Sequence, residues 1–195
     1  MKSILFLPLV TLSLAAPLEE RKCKPTCTSY VANYDDLPFN DGSANPINLY
    51  NNLNYTTFQV DAYDGFIPPT SFSNWAMAFG GSGNISVPKS DRKKTFELNS
   101  FSYACVSGVP QPECRISIWG FKAHGQVIKR DITFPRLDPG HPIEDFMMNR
   151  TTFNGQWKDL KSVGFSIARA DNGGDMFGGL ALDDLGYEIV ERPCM

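Results

Sequence analysis

The stretch RISIWGFKAHGQVIKRDITF, residues 115–134, decides the fold of this chain. Its two halves, 115–121 and 127–134, are rich in β-branched and aromatic residues, and each alternates between apolar and polar side chains. Such alternation is typical of a strand with one buried face. The segment Ala123-His124-Gly125 between the halves supplies turn residues, including a glycine that accepts a left-handed backbone. The stretch therefore predicts a β-hairpin.

Similar short runs recur along the rest of the chain, and no long stretch shows helical periodicity. The further predicted strands cover 29–34, 55–63, 74–79, 85–87, 94–106, 160–168 and 180–190. Clusters of Gly, Pro, Asn and Asp separate them, as they separate strands in all-β proteins. A change of parity between Leu98 and Phe101 predicts a β-bulge near Asn99-Ser100. The pattern predicts one all-β domain, an antiparallel β-sandwich over residues 29–195, preceded by an N-terminal segment, 16–28.

The first residues have the features of a secretory signal peptide. Lys2 gives a positive start, and the apolar run 4–12 that follows is too short to span a bilayer. Ser13-Leu14-Ala15 then places small residues where signal peptidase cuts, which predicts that residues 1–15 are removed. No later segment is apolar enough to hold the chain in a membrane. The sequence therefore predicts a secreted, extracellular protein.

Five cysteines follow the predicted signal peptide, and in a secreted chain this favours disulfides over metal ligands. Cys105 and Cys114 flank a loop containing Gly and Pro between two predicted strands, so we expect them to be bonded. Cys194 follows the last predicted strand and is expected to pair with Cys23 or Cys27. The remaining one of those two would be free or bonded to another chain.

Three Asn-x-Ser/Thr sequons begin at Asn54, Asn84 and Asn149. In a secreted protein each is a potential acceptor for an N-linked glycan, which requires a position at the surface. Because sequons also arise by chance, we expect two of the three to be glycosylated.

The charge balance argues against nucleic acid as a partner. The chain contains 18 basic and 21 acidic residues, for a formal net charge of −3. Its one basic run, Arg92-Lys93-Lys94, fits a solvated loop better than the clustered footprint of a nucleic-acid-binding domain. Both histidines, His124 and His141, fall in predicted loops, and no serine-hydrolase or zinc-hydrolase motif occurs. No catalytic residue is assigned.

Acidic pairs stand at the two ends of the predicted sandwich. Asp35-Asp36 follows the first predicted strand, and Asp183-Asp184 interrupts the last one. Calcium requires several oxygen ligands at once, from carboxylates and backbone carbonyls. Two acidic pairs would supply them if the first and last strands lie side by side, as the expected disulfide between the termini would require. The alternative is that these aspartates only cap turns.

Aromatic side chains on an open sheet face or loop rim are the groups on which sugar rings stack. The candidates are Trp75, Trp119, Trp157 and Tyr63, each of which also fits a hydrophobic core. Trp157 is the best candidate for exposure, because it lies in the polar turn sequence NGQWKD, residues 154–159.

Several short motifs resemble those of a group of secreted fungal proteins. They are Tyr34-Asp35-Asp36-Leu37-Pro38, Asn45-Pro46-Ile47, Leu53-Asn54-Tyr55 and Leu180-Ala181-Leu182-Asp183-Asp184-Leu185, and the resemblance spans residues 30–189. The β-sandwich of that group is similar to the jelly-roll fold of many carbohydrate-binding modules. In calcium-bearing jelly rolls an acid on the first strand often shares the ion with one on the last. The resemblance therefore implies a structural Ca²⁺ held by Asp35 or Asp36 and by Asp183.

Residues and resemblance together give three functional hypotheses. The first is a secreted, non-catalytic jelly-roll protein that binds a polysaccharide or the glycan of a glycoprotein at a cell wall or in the extracellular space. The second is a fungal colonisation effector that binds a host protein and uses the sandwich as a scaffold. The third is a polysaccharide-active hydrolase or lyase, although no spacing singles out the required pair of carboxylates. An open sheet face bearing aromatics would favour the first hypothesis, and a flat apolar patch the second.

Overall fold

The computed structural model describes residues 24–40, 45–62, 74–107, 110–140, 147–174 and 178–192. Within these ranges the chain forms strands and no helices. The strands are β1 (Thr26–Ala32), β2 (Leu49–Tyr50), β3 (Leu53–Thr56), β4 (Phe58–Ala62), β5 (Asn74–Phe79), β6 (Ser82–Ser86), β7 (Lys94–Val106), β8 (Cys114–Lys122), β9 (Val127–Phe134), β10 (Asn149–Thr152), β11 (Leu160–Arg169) and β12 (Gly179–Glu191).

Most of the predicted strands are confirmed, and β5, β7 and β9 have the predicted bounds. The β8–β9 hairpin is closed by Gly125, whose φ is +81° and whose N–H donates to the Lys122 carbonyl at 3.0 Å. The single strand predicted over 55–63 is wrong, because Thr57, with φ +66°, separates β3 from β4. β2 and β10 were not predicted, since neither has enough alternating apolar residues to be recognised.

Hydrogen bonds join the described strands into one sheet that turns over on itself. The strand order is β2-β3-β6-β11-β7-β12-β5-β4, with β1 beside β12, β10 beside β7, and the β8–β9 hairpin beside β11. The turnover lies between β7 and β11, which are paired through Phe96 and Leu160. The result is two layers. The long-strand layer contains β1, β4, β5, β7, β10 and β12, and the hairpin layer contains β2, β3, β6, β8, β9 and β11.

Aromatic rings fill the space between the two layers. Phe165 of β11 contacts Phe58 of β4 and Phe101 of β7 edge to face, with ring centroids 6.0 and 5.8 Å apart. Tyr103 of β7 and Phe134 of β9 make a further contact between the layers, at 6.3 Å. All five side chains are buried. Edge-to-face pairs add to the free energy gained by burying apolar surface, so these rings hold the layers together.

Gly83 of β6 makes room for this aromatic network. Its position faces inwards opposite Phe165, and a Cβ atom there would lie 2.3 Å from Cε2 of Phe58. Because a real Cβ atom does not approach another carbon this closely, any larger residue would force the Phe58 ring to shift.

The predicted disulfide between Cys105 and Cys114 is confirmed, and it connects the two layers. Cys105 lies near the end of β7 and Cys114 begins β8. Both residues are fully buried, and their Cα atoms are 6.4 Å apart. The bond therefore fixes the point at which the chain crosses from the long-strand layer to the hairpin layer, and it restricts the unfolded chain at that point.

The first and last strands lie side by side, as the sequence predicts. β1 pairs with the second half of β12 along its whole length, with Cys27 opposite Val190. In the described part of the chain Cys27 is exposed and forms no disulfide. Cys23 and Cys194 lie outside the described residues, and Cys23 is now the expected partner of Cys194.

The predicted fold class, an antiparallel β-sandwich of the jelly-roll type stapled by a disulfide, is confirmed. Among the described residues, no helix has the length and apolarity needed to cross a bilayer. The predicted signal peptide, 1–15, and most of the N-terminal segment, 16–28, lie outside the described residues, so these boundaries stay predictions.

Phe165→Ala should lower the free energy of unfolding by about 3–5 kcal/mol, because it leaves a cavity between the layers. Ser166 is the next residue of β11 and points outwards, so Ser166→Ala should change the same quantity by less than about 0.5 kcal/mol. Equilibrium unfolding in urea measures both. Equal losses in the two variants would contradict the inward orientation of Phe165.

Candidate binding face

The outer side of the hairpin layer is one continuous surface. Along β11, Val163 and Phe165 are buried, whereas Ser162, Gly164 and Ser166 alternate with them and point away from the core. Paired residues of neighbouring strands point to the same side, so this alternation continues across the layer. We call the surface the outer face; it comprises Asn54 and Thr56 of β3, Ser82, Asn84 and Ser86 of β6, Ser162, Gly164 and Ser166 of β11, Arg115, Ser117, Trp119 and Phe121 of β8, and Val127, Lys129, Asp131 and Thr133 of β9.

Small residues lie beside the aromatic residues of the outer face. In the ladder between β8 and β11, Phe121 is opposite Ser162 and Trp119 is opposite Gly164. A Cβ atom on Gly164 would lie 3.5 Å from Cε2 of Phe121, so this ring leans over the glycine. On the other side of β11, Asn84 is opposite the same glycine. The outer face therefore presents a strip of hydroxyl and amide groups next to two aromatic rings.

Both aromatic side chains of the outer face reach solvent. Phe121 is 41% exposed, and its cross-strand neighbour Val127 is 52% exposed. Trp119 is half-buried, and the Lys129 Nζ atom lies 5.6 Å from the centroid of its ring. A cation in this position is attracted by the π electrons of the indole. A ligand on the outer face would therefore meet an aromatic ring and an ammonium group together.

Lys129 also belongs to a polar network. Its ammonium group contacts the Asp131 carboxylate at 3.2 Å, and the Ser117 hydroxyl donates to that carboxylate at 2.7 Å. The hydrogen bond from Ser117, followed by that from Lys129, lowers the pKa of Asp131 below its ordinary value. Asp131 is therefore ionised at neutral pH, and its remaining lone pairs can accept hydrogen bonds from ligand hydroxyls.

A hollow of about 710 Å³ lies at the Arg115 end of the outer face. Its charged lining residues are Glu113, Arg115, Arg136, Arg169 and Asp171. The Arg169 guanidinium donates two hydrogen bonds to Asp171, at 3.1 and 2.6 Å, and thereby lowers the pKa of that carboxyl. The lining therefore carries mixed charge, unlike the clustered positive charge of a nucleic-acid site.

The structure separates the four predicted aromatic ligand contacts. Trp119 lies on the outer face, where a ligand contact is possible. Trp75 and Trp157 are only 2% and 5% exposed, so the expectation that Trp157 is exposed is wrong. Tyr63 lies outside the described residues. Sequence reasoning missed Phe121, although its spacing of two residues from Trp119 places both side chains on one side of a strand.

Trp157 is buried because its polar neighbours occupy the solvent positions of the turn. The backbone N–H of Trp157 donates to the Asn154 carbonyl at 2.9 Å, and the turn directs the indole inwards. There the ring contacts Phe153, with centroids 4.8 Å apart, and lies next to Gly120, where a Cβ atom would be 3.1 Å from Cζ3. The Leu98 N–H donates to the Trp157 carbonyl at 2.9 Å and ties the turn to β7.

The chain leaving β1 passes close to Asp183 of β12. Asp183 is fully buried, and its carboxylate accepts the Asp184 N–H at 2.7 Å. Burial, the neighbouring Tyr55 and the Asp183 charge all raise the pKa of Tyr34, which follows β1. The register between β12 and β7 shifts just after Asp183 and again between Gly186 and Tyr187, whose partners are Ser100 and Leu98. The second shift leaves Asn99 as the extra residue of β7 and confirms the predicted bulge.

Asp35 and Asp36 point in different directions. Asp35 accepts hydrogen bonds from the Asn33 amide at 3.0 Å and from the Asn74 N–H at 3.4 Å, and is half-buried. Asp36 is exposed and accepts a hydrogen bond of 2.6 Å from the Tyr50 hydroxyl. Of the two acids, Asp35 is therefore the one that contacts the start of β5.

The carboxylates of Asp35 and Asp183 are oxygen ligands of the kind that calcium accepts. Among the described residues, no three His, Cys, Asp or Glu side chains lie close enough together to hold a metal ion. An ion at this place would therefore take backbone carbonyl oxygens in addition to the two carboxylates. Such a mixed oxygen set is ordinary for calcium and unusual for zinc, which prefers nitrogen and sulfur.

The three predicted glycan acceptors lie at the surface of the described structure. Asn54 and Asn84 are on the outer face, because they alternate with the buried residues Tyr55 and Ile85. Asn149 begins β10 in the long-strand layer and is exposed. These positions are suitable for modification, and glycosylation itself stays a prediction.

No family model and no curated protein sequence matches this chain. Similar solved structures include an agarase, with a TM-score of 0.37 and 12% identity over 76% of this chain and 24% of that one. TmCBM61, in complex with β-1,4-galactotriose, has a TM-score of 0.34 and 4% identity over 74% and 87% of the two chains. The CBM22-1–GH10 modules of Clostridium thermocellum xylanase 10B, in complex with xylohexaose, have a TM-score of 0.36 and 9% identity over 78% and 28%. This chain thus spans about a quarter of the length of the agarase.

Trp157→Ala should lower the free energy of unfolding by about 3–5 kcal/mol, because it empties a buried position between β7 and β8. Trp119→Ala should cost clearly less, since part of the Trp119 ring is already in contact with water. Urea denaturation of both variants measures the difference. A larger loss for Trp119→Ala would contradict the assignment of these two residues to the outer face and the core.

Proposed function

We propose that the outer face binds a polysaccharide, or the glycan of a glycoprotein, without catalysing a reaction on it. The observation that carries the proposal is the pair Trp119 and Phe121, two accessible rings on one side of one strand, beside a strip of Ser, Asn and Gly. Sugar rings offer CH groups that pack against π faces, and hydroxyls that hydrogen-bond to polar neighbours. The outer face supplies both kinds of contact.

The arrangement of these groups suits a polymer that runs along β8. The distance from Phe121 to Arg115 is about 20 Å at roughly 3.3 Å per residue. Aromatic contacts lie at the Phe121 end, whereas Ser117, Lys129 and Asp131 provide hydrogen-bonding groups in the middle. Successive sugar units could therefore make separate contacts along the strand, which a single sugar could not do.

The lowered pKa of Asp131 argues against this residue as the general acid of a hydrolase. A glycosidase needs one carboxyl group held protonated to act as an acid, which requires a raised pKa. On the outer face, the Ser117 hydroxyl and Lys129 instead lower the pKa of Asp131. The carboxylate is suited to accept hydrogen bonds and unsuited to protonate a leaving group.

An extracellular location agrees with the covalent chemistry of the chain. The Cys105–Cys114 disulfide is buried in the core, and disulfides of this kind form in oxidising compartments. The signal-peptide pattern of residues 1–15 and the surface positions of the sequons support the same proposal. The protein would then meet its ligand at a cell wall or in the extracellular space.

The wild-type protein should be retained on at least one insoluble polysaccharide among cellulose, xylan, chitin and β-glucan. Phe121→Ala and Trp119→Ala should each weaken this retention by about 5–10-fold, because each removes a stacking contact worth about 1–1.5 kcal/mol. Phe79→Ala is the matched control, because Phe79 is 55% exposed but lies on β5 of the other layer. The Phe79→Ala protein should be retained as strongly as the wild type.

Unchanged retention of Phe121→Ala and Trp119→Ala would remove the outer face as the binding site. Release of reducing ends during the incubation would favour an enzyme. No retention of the folded wild-type protein on any of the polysaccharides would overturn the proposal and leave a protein partner as the better account.

We propose in addition that a structural Ca²⁺ binds where the chain leaving β1 passes β12, between Asp35 and Asp183. Asp183 is a fully buried acid, and carboxylate oxygens are ligands that calcium accepts. A divalent cation shared with Asp35 would tie the start of the domain to its last strand. Asp36, which is exposed and bonded to Tyr50, fits the ion less well.

Chelator should lower the melting temperature of the purified protein, and added calcium should restore it. An ion that binds only the native state stabilises it by about 2.7 kcal/mol at one hundred times its Kd. Asp35→Asn and Asp183→Asn should abolish this response, and Asp36→Asn should retain it. A melting temperature that is constant across a calcium titration would contradict the site.

A further inference from the structure

Asn84 and the aromatic pair are connected by an open lane across the outer face. Asn84 of β6 is opposite Gly164 of β11, and Gly164 is opposite Trp119 of β8. Neighbouring strands are about 4.8 Å apart, so the backbones at Asn84 and Trp119 are roughly 10 Å apart. Because the residue between them is a glycine, the row itself places no side chain between Asn84 and Trp119.

The Phe121 ring, which belongs to the neighbouring row, overhangs the middle of this lane. It leans over Gly164, with Cε2 at 3.5 Å from the position of a Cβ atom on the glycine, and 41% of its surface is exposed. A group attached to Asn84 and directed along the row would therefore meet the edge of Phe121 and then Trp119. Asn54 has no such lane, because the side chains of Ser86 and Ser162 lie on its row before Phe121.

We propose that Asn84 carries an N-linked glycan whose first sugars pack on Phe121 and Trp119, so that the protein's own glycan occupies the aromatic end of the outer face. In the modification, Nδ2 of Asn84 bonds to the anomeric carbon of an oligosaccharide, whose bond to a lipid-linked pyrophosphate breaks. The amide proton leaves with the pyrophosphate. For its effect on external polysaccharide, this inference rests on the proposed function.

Attachment makes even a weak contact effective. A ligand on a short tether has an effective concentration on the order of mM, so a site with a Kd of about 1 mM is occupied roughly half of the time. The CH faces of the first sugars would pack on the two rings, and their hydroxyls would lie near Lys129. An external polysaccharide would have to displace this glycan before it could stack on Trp119 and Phe121.

The test measures thermal unfolding of the protein secreted from a glycosylating eukaryotic host. Peptide mass spectrometry should find a glycan on Asn84. Asn84→Gln should lower the melting temperature by about 1–2 °C, the shift that loss of a half-occupied contact produces in a domain of this length. In a Phe121→Ala background the same change should have no effect. Ser86→Ala, which removes the sequon and leaves Asn84 in place, should reproduce both results.

Asn149→Gln is the control, because it removes a sequon from β10 in the other layer. Asn149→Gln should change the melting temperature by the same amount in the wild-type and in the Phe121→Ala background. An unmodified Asn84 in the secreted protein would overturn the inference. So would an Asn84→Gln effect of equal size in the two backgrounds.

Polysaccharide retention distinguishes failure of this inference from failure of the proposed function. Asn84→Gln should be retained roughly twofold more strongly than the glycosylated wild type, because a half-occupied site becomes free. If the Asn84→Gln shift in melting temperature depends on Phe121 but no variant is retained on polysaccharide, the proposed function is overturned and the glycan contact stands. If the protein is retained on polysaccharide but the Asn84→Gln shift does not depend on Phe121, only the glycan contact is overturned.

Discussion

The contact of Phe165 with Phe58 and Phe101 is the interaction on which the rest of the structure depends. Its ring lies 6.0 and 5.8 Å from those of the other layer, and all three are fully or almost fully buried. Because side chains alternate along a strand, an inward Phe165 fixes Gly164 as an outward residue. A slip of one residue would exchange the two faces of β11 and would expose the core ring to water.

The outer face is a consequence of the same constraint. Once the register of β11 is set, its pairing with β8 brings Trp119 opposite Gly164, and its pairing with β6 brings Asn84 to the other side of that glycine. The serines of these strands occupy the remaining outward positions. A surface that combines accessible rings with short polar side chains therefore requires no feature beyond the packing of the core.

The proposed ion site and the outer face lie in different layers. Asp183 belongs to β12 of the long-strand layer, where the register shifts and Asp184 takes a positive φ of +47°. The Cys105–Cys114 bond joins that layer to the start of β8. Elements that tie the layers and the chain ends together are thus separate from the residues proposed to touch a ligand.

The sequence by itself determined the strands with strong alternation, such as the 127–134 strand, and the Cys105–Cys114 bond, since both depend on residues that are close along the chain. It did not determine the environment of the tryptophans. The turn around Trp157 is polar in sequence, yet the ring is buried against Phe153, because burial depends on what the opposite layer places there. Tertiary structure likewise decided that Phe121 lies open beside Gly164, because strands distant in sequence meet only when the sandwich closes.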